Sequence, residues 1–208
     1  MEDKKLRELV RGILNEIAQS QSDSYTSIKH VYIPADKPAR KLLIISPGVD
    51  NAYGWTSAAD HHAKEAVASL SDDIAYVVAN NAGTPISGVM KDIAGNDKLS
   101  NIGVIEALGF SGGGNTLIKF MKSNPDAAKI SKFYLADPYW GGDASSATIP
   151  YADKVVLMYK PGNWSTKYNM TEKFKVMDKT VKTGGGQSEE TSLGHVDILK
   201  TLINKANS

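Results

Sequence analysis

Residues 109–113 (GFSGG) place Ser111 between glycines at the spacing expected of a nucleophilic serine. They fit the pattern Gly-x-Ser-x-Gly, and they lie between a predicted strand (104–110) and a predicted helix (115–122). Glycines allow a sharp turn without Cβ clashes, and such a turn exposes the serine hydroxyl. The amino end of the following helix favours developing negative charge. The alternative is a glycine-rich turn that packs closely or cradles a phosphate, but residues 112–114 lack the Lys-Ser/Thr of a phosphate-binding loop.

A nucleophilic serine requires a general base, which is most often a histidine. The chain has four histidines: His30, His61, His62 and His195. His195 lies just before a predicted helix (196–205), and a glycine-rich loop (183–186) gives its segment freedom to reach over a sheet edge. It is the candidate base, with a helix-capping neighbour of no catalytic role as the alternative. His61 and His62 are adjacent in a predicted helix and do not share a face, so a chelating pair is not expected.

The elements that must position these residues alternate between strands and helices. This order predicts an α/β fold with a mainly parallel sheet flanked by helices. Apolar runs and their periodicity predict strands at 29–33, 41–46, 74–79, 104–110, 132–136, 155–159 and 174–177, and helices at 57–70, 115–122 and 196–205. The connections 80–101 and 138–152 are long and irregular in pattern, which is typical of lids and binding loops.

With its GFSGG motif and its late Gly194-His195 pair, the segment 28–208 resembles a small serine esterase or lipase of the α/β-hydrolase superfamily. The resemblance implies an acid that orients the histidine and stabilises its cation. Asp137 is the favoured acid, because some lipases place theirs after the strand that follows the nucleophile helix. The more usual place is after the next strand, where this chain has Asn163, which can orient a histidine but cannot offset its charge. Asp178 is a further candidate, and Asp137 is alternatively a turn residue before a proline.

The resemblance also implies an oxyanion hole made by the amide of Gly112 and by an amide from the loop after the second strand. Val49 is the favoured second donor, because the preceding glycine frees the backbone to turn its amides inward. Substrate contacts are expected from loops at the carboxyl ends of the strands, namely from Asp50, Asn51, Trp55, Tyr139 and Trp140. The two polar residues either contact substrate or cap a turn. The aromatic rings either grip an acyl chain or a sugar ring, or pack within their loops.

Composition limits the function classes. The chain has 208 residues, enough for one domain with a buried core, and its net charge of +1 provides no basic field for nucleic acid or an anionic membrane. It has no cysteine, which excludes disulfides and thiolate metal sites. No apolar run of about 18 residues is present to span a membrane, and the charged amino terminus lacks the apolar stretch of a secretory signal. A soluble intracellular location is therefore expected.

Residues 4–18 carry apolar side chains at helical spacing, and residues 19–27 are polar and serine-rich like a linker. The sequence therefore predicts an amino-terminal amphipathic helix and linker (1–27) followed by an α/β-hydrolase-like domain (28–208). The helix either packs on its own domain or docks onto a protein partner.

These residues together predict a serine hydrolase that cleaves a small-molecule ester or thioester through an acyl-enzyme, without a metal or an organic cofactor. Transfer of the acyl group to an acceptor other than water would use the same residues. The alternative from a different class is a catalytically silent binding or structural module that docks through its amino-terminal helix.

Overall fold

The structure is a computed structural model that describes residues 26–34, 37–48, 67, 70–139, 148–161 and 170–208. Within these residues, seven strands form one sheet in the spatial order β1-β3-β2-β4-β5-β6-β7. The strands are β1 (Ile28–Tyr32), β2 (Lys41–Ser46), β3 (Ile74–Ala79), β4 (Ile105–Phe110), β5 (Lys132–Ala136), β6 (Val155–Tyr159) and β7 (Gln187–Glu190). All neighbouring strands are parallel except β1, which runs antiparallel to β3 at one edge. The predicted mainly parallel sheet is confirmed.

Helices cover both faces of the sheet. They are α1 (Ile86–Ala94), α2 (Asp97–Ser100), α3 (Gly112–Ser123), α4 (Met170–Thr183) and α5 (His195–Ala206), with 3₁₀ turns at Pro125–Lys129 and Ala152–Lys154. Alternate residues of β2 enter different cores: Leu42 and Ile44 pack in the cluster that contains α1, α3 and α4, whereas Leu43 and Ile45 pack in the cluster that contains α5. This alternation follows from the two-residue period of a strand. The sheet is therefore the middle of three layers. The edge formed by the carboxyl ends of its parallel strands is not covered by these layers and can hold a site.

Two sequence predictions are wrong. The segment 174–177 is not a strand but part of α4, where Met170, Phe174, Met177 and Val181 are buried at helical spacing. The connection 80–101 is not irregular, because it contains α1 and α2. The edge strand β7 was not predicted, because its residues are polar and form no apolar run.

Several predictions fall on residues that the structure does not describe. The amphipathic helix at 4–18 lies outside the described residues, and so does most of the helix predicted at 57–70. The division of the chain after residue 27 and the docking of a partner stay predictions. In the part of the chain that the structure describes, no helix is long and apolar enough to cross a membrane.

Candidate active site

Ser111 lies in the tight turn between β4 and α3, with a backbone φ of 53° and ψ of −121°. A positive φ is unfavourable for a residue with a side chain, so surrounding contacts must hold it. The Ser111 amide donates to the carbonyl of Ala136 at 3.0 Å, and the Ser111 carbonyl accepts from the amides of Gly114 at 3.0 Å and Tyr139 at 2.8 Å. These bonds tie the turn to the end of β5 and to the loop that follows it.

The glycines around Ser111 are required by close backbone contacts. A Cβ at Gly109 would lie 2.7 Å from Cα of Gly114, and a Cβ at Gly113 would lie 2.2 Å from the carbonyl oxygen of Ser46. Real Cβ atoms do not approach backbone atoms so closely. Only glycine therefore lets α3 start directly over the ends of β2 and β4.

His195 is the first residue of α5, and its Nδ1 lies 2.6 Å from Oδ2 of Asp137. The Asp137 side chain is fully buried, whereas the His195 side chain is 31% exposed. The other carboxylate oxygen of Asp137 accepts the amide of Lys160 at 3.1 Å. The Asp137 amide donates to the carbonyl of Met158 at 2.8 Å, so the residue is fixed through both its backbone and its side chain.

Asp137 also has a positive φ, 41°, at the end of β5. Aspartate adopts this left-handed conformation more readily than most residues. The conformation belongs to the turn by which the chain leaves the sheet toward Pro138. Asp137 is therefore both a turn residue before a proline and the partner of His195, because the turn points its carboxylate toward the imidazole.

Asp137 and His195 are in contact at the carboxyl edge of the sheet, and the turn that contains Ser111 lies at the same edge. Ser111 is bonded to Ala136, the residue before Asp137, and the ring of Phe110 lies against the His195 ring with centroids 4.4 Å apart. The contact of Phe110 with His195 was not predicted, because Phe110 occupies the variable position of the motif. Because Nδ1 of His195 faces Asp137, Nε2 is the nitrogen suited to exchange a proton with the serine.

The other two candidates for the residue that orients His195 are Asp178 and Asn163. Asp178 lies on α4, where it accepts hydrogen bonds from Lys182 and from Ser188 on β7. Burial tends to raise the pKa of Asp178, but these hydrogen bonds outweigh it and hold the pKa below its usual value. Asn163 lies outside the described residues. The structure therefore brings one of the three candidates, Asp137, to His195.

The predicted oxyanion donors are described in part. Gly112 begins α3, so its amide is one of the first-turn amides that lack a partner within the helix. A Cβ at Gly48 would lie 3.3 Å from Cβ of Ser111, so the chain passes close beside the serine as it leaves β2. Val49 follows that position but lies outside the described residues.

Of the predicted substrate-contacting residues, the structure describes Tyr139. Its amide is bonded to Ser111, and its partly buried ring packs against the apolar cluster that contains α1, α3 and α4. The remaining four lie outside the described residues: Asp50, Asn51, Trp55 and Trp140. Among the side chains that are described, no group of three His, Asp or Glu residues forms a candidate metal site.

Comparison with known proteins shows the fold. No protein-family model matches the chain, and no curated protein matches it either. An α/β serine hydrolase without a lid from Xanthomonas campestris matches with a TM-score of 0.59 and 12% identity, over 85% of this chain and 85% of that one. A lipase-esterase related protein from Clostridium acetobutylicum matches with a TM-score of 0.51 and 10% identity, over 86% of this chain and 96% of that one. The chain therefore has the fold of the α/β-hydrolase superfamily.

Proposed function

We propose that this protein is a serine hydrolase that cleaves an ester or thioester of a small molecule. The observation that carries the proposal is the 2.6 Å contact between Asp137 and His195 at the edge of the sheet where Ser111 lies in its strained turn. A fold alone does not specify chemistry, but a buried carboxylate, a partly exposed imidazole and a serine on a nucleophile elbow are the parts of acyl transfer. The two structural neighbours, a serine hydrolase and a lipase-esterase related protein, agree with this reaction class.

In the proposed mechanism, Oγ of Ser111 attacks the substrate carbonyl while Nε2 of His195 takes the hydroxyl proton. Asp137 stabilises the imidazolium that forms, and its orientation is kept by the amide of Lys160 on its other oxygen. The tetrahedral intermediate collapses when the bond to the leaving alcohol or thiol breaks and His195 returns the proton to that group. Water, activated by His195 in the same way, then attacks the acyl-serine and releases the acid.

The developing oxyanion is proposed to bind the amides of Gly112 and Val49. The support for Gly112 is its place at the start of α3, where the amide lacks an intrahelical partner. The support for Val49 is the passage of the preceding residue beside Ser111. Each preorganised donor of this kind contributes about 3 kcal/mol to the stability of the transition state.

The proposal is tested by hydrolysis of p-nitrophenyl esters of increasing acyl length and of an acyl thioester. Ser111→Ala should lower kcat by about 10⁴-fold or more while the circular dichroism spectrum and Tm stay near those of the wild type. Ser123→Ala is the matched control, because this exposed serine lies at the other end of the same helix, where its hydroxyl donates to the carbonyl of Lys119 at 2.8 Å. Hydrolysis that survives in Ser111→Ala would overturn the proposal.

A further inference from the structure

A buried ion pair lies at the amino edge of the sheet, opposite to Ser111. Nζ of Lys41, at the start of β2, is 3.2 Å from Oε2 of Glu106 on β4, and the two side chains are only 7% and 9% exposed. Removing two charges from water is costly, and an apolar pair is often as stable, so such a pair calls for a reason beyond stability. The hydroxyl of Tyr134 on β5 donates to the same carboxylate oxygen at 3.2 Å. Burial, together with the Glu106 charge, raises the pKa of Tyr134, so its hydroxyl stays a donor.

The same ammonium group also binds α5. Nζ of Lys41 donates to the carbonyl of Ala206, the last residue of α5, at 2.6 Å. The final carbonyls of a helix lack partners within it and form the negative end of its dipole, so a buried cation is well suited to this place. Two neighbouring contacts fix the residue after the helix, since the amide of Ser71 donates to Oδ1 of Asn207 at 2.7 Å and the Arg40 guanidinium donates to the Asn207 carbonyl.

The opposite end of α5 is His195. Ala206 lies eleven positions after His195 in α5, which corresponds to about 17 Å along the axis of a stiff helix. Holding one end of such a helix against the sheet limits where the other end can lie. A catalytic group must be placed within about 0.5 Å, and a displacement of 1 Å can lower a rate by about 100-fold.

We propose that Lys41, held by Glu106, is a positioning residue. By holding the carboxyl end of α5, it keeps His195 at the amino end correctly placed toward Asp137 and Ser111. The part of this inference that concerns the reaction rests on the proposed function. If Lys41 contributed to stability alone, removal of its hydrogen bond to Ala206 would leave the contact between His195 and Asp137 unchanged in the folded protein.

The test uses the double variant Lys41→Met/Glu106→Gln. It removes the donor to Ala206 and both charges, so no unpaired carboxylate is left buried, and the amide oxygen of the substituted side chain can still accept from Tyr134. Lys154→Met is the matched control, because Lys154 donates to the carbonyls of Ile130 at 2.9 Å and Ala128 at 3.2 Å, and neither residue belongs to α5. Lys154→Met thus makes the same lysine-to-methionine change as the double variant and also removes hydrogen bonding from a lysine to backbone carbonyls.

Two readouts are compared among folded proteins. The first is the downfield proton resonance of the Nδ1–H of His195, which reports its short hydrogen bond to Asp137 without any catalysis. The second is the rate constant for reaction of Ser111 with a fluorophosphonate. In the double variant we expect the resonance to move upfield or broaden and the rate constant to fall about 10- to 100-fold. In Lys154→Met we expect both to stay within about twofold of the wild type.

If the double variant does not fold, Lys41→Gln/Glu106→Gln keeps a shorter neutral donor in the same place, and we expect smaller changes in the same direction. An unchanged resonance and rate in either folded double variant would overturn the positioning role, whatever the loss in stability. A wild-type protein that does not react with the probe would contradict the proposed function instead. The resonance would still decide whether Lys41 positions His195.

Discussion

Nδ1 of His195 and Oδ2 of Asp137 lie 2.6 Å apart, although 58 residues separate them in the sequence. The carboxylate is fully buried, and its second oxygen is held by the amide of Lys160 at 3.1 Å. This arrangement specifies which nitrogen of the imidazole faces the carboxylate, and the other nitrogen is the one that we propose exchanges a proton with Ser111. It also makes the choice of acid testable by substitution.

Asp137→Asn should lower kcat/KM by about 10⁴-fold with little change in fold, because the amide cannot offset the charge of the imidazolium and can hold the wrong tautomer. Steady-state hydrolysis of the best ester found for the wild type measures the effect. Asp178→Asn is the matched control and should retain activity, since the partners of Asp178 are Lys182 and Ser188. Asn163→Ala should also retain activity. A dead Asn163 variant beside an active Asp137 variant would show that the acid is assigned wrongly.

Gly113→Ala should lower the free energy of unfolding by about 3 kcal/mol. Alanine would gain about 1 kcal/mol over glycine from helix propensity, but its Cβ would lie 2.2 Å from the carbonyl of Ser46 and force α3 off the sheet. Gly103→Ala is the control, because a Cβ there meets nothing within 4 Å, and it should be neutral or stabilising by up to about 1 kcal/mol. Urea unfolding measures both variants. Equal stabilities would contradict the close contact that the structure places at the nucleophile turn.

Tyr159→Phe should make stability less sensitive to alkaline pH. Burial, with the nearby charges of Asp178 and Glu190, raises the pKa of Tyr159 from 10.0 to about 12. Between these values the unfolded chain releases the tyrosine proton and the folded chain keeps it, so the contribution is intact below pH 10 and is lost as the pH rises toward 12. Urea unfolding at intervals from pH 9 to pH 11.5 should show a shallower decline for the variant. A decline as steep as that of the wild type would refute this assignment.

The central strands could be predicted from the sequence because they are buried on both faces. The segments 41–46, 74–79, 132–136 and 155–159 coincide with β2, β3, β5 and β6, and each is an unbroken or nearly unbroken apolar run. The segment 174–177 was wrongly predicted as a strand because a short apolar window fits a strand or a helix equally well. A strand would put Phe174 and Val176 on one face, yet Phe174 is fully buried and Val176 is 41% exposed, as a helix requires.

The residues of the candidate site also differ in how far they could be predicted from the sequence. Ser111 could be identified from local sequence, because glycine spacing and flanking elements define the turn. Asp137 is favoured as the acid only through the resemblance, beside Asn163 and Asp178. Its contact with His195 has no local sequence signal, since it depends on a positive φ at the end of β5 and on an amide from the segment after β6. The hydrogen bond from Lys41 to Ala206 could not be predicted from local sequence either, because a lysine at the start of an apolar run is typical of an exposed strand end.

Reaction of the wild-type protein with a fluorophosphonate, followed by intact mass measurement and peptide mapping, tests the central claim most directly. An activated serine reacts with such a probe whatever its natural substrate, so the result does not depend on having found that substrate. If Ser111 is the activated nucleophile, the protein should carry a single adduct on Ser111, and the adduct should be lost in His195→Ala. A well-folded wild-type protein that carries no adduct, or an adduct on a different residue, would contradict this claim and favour a non-catalytic module.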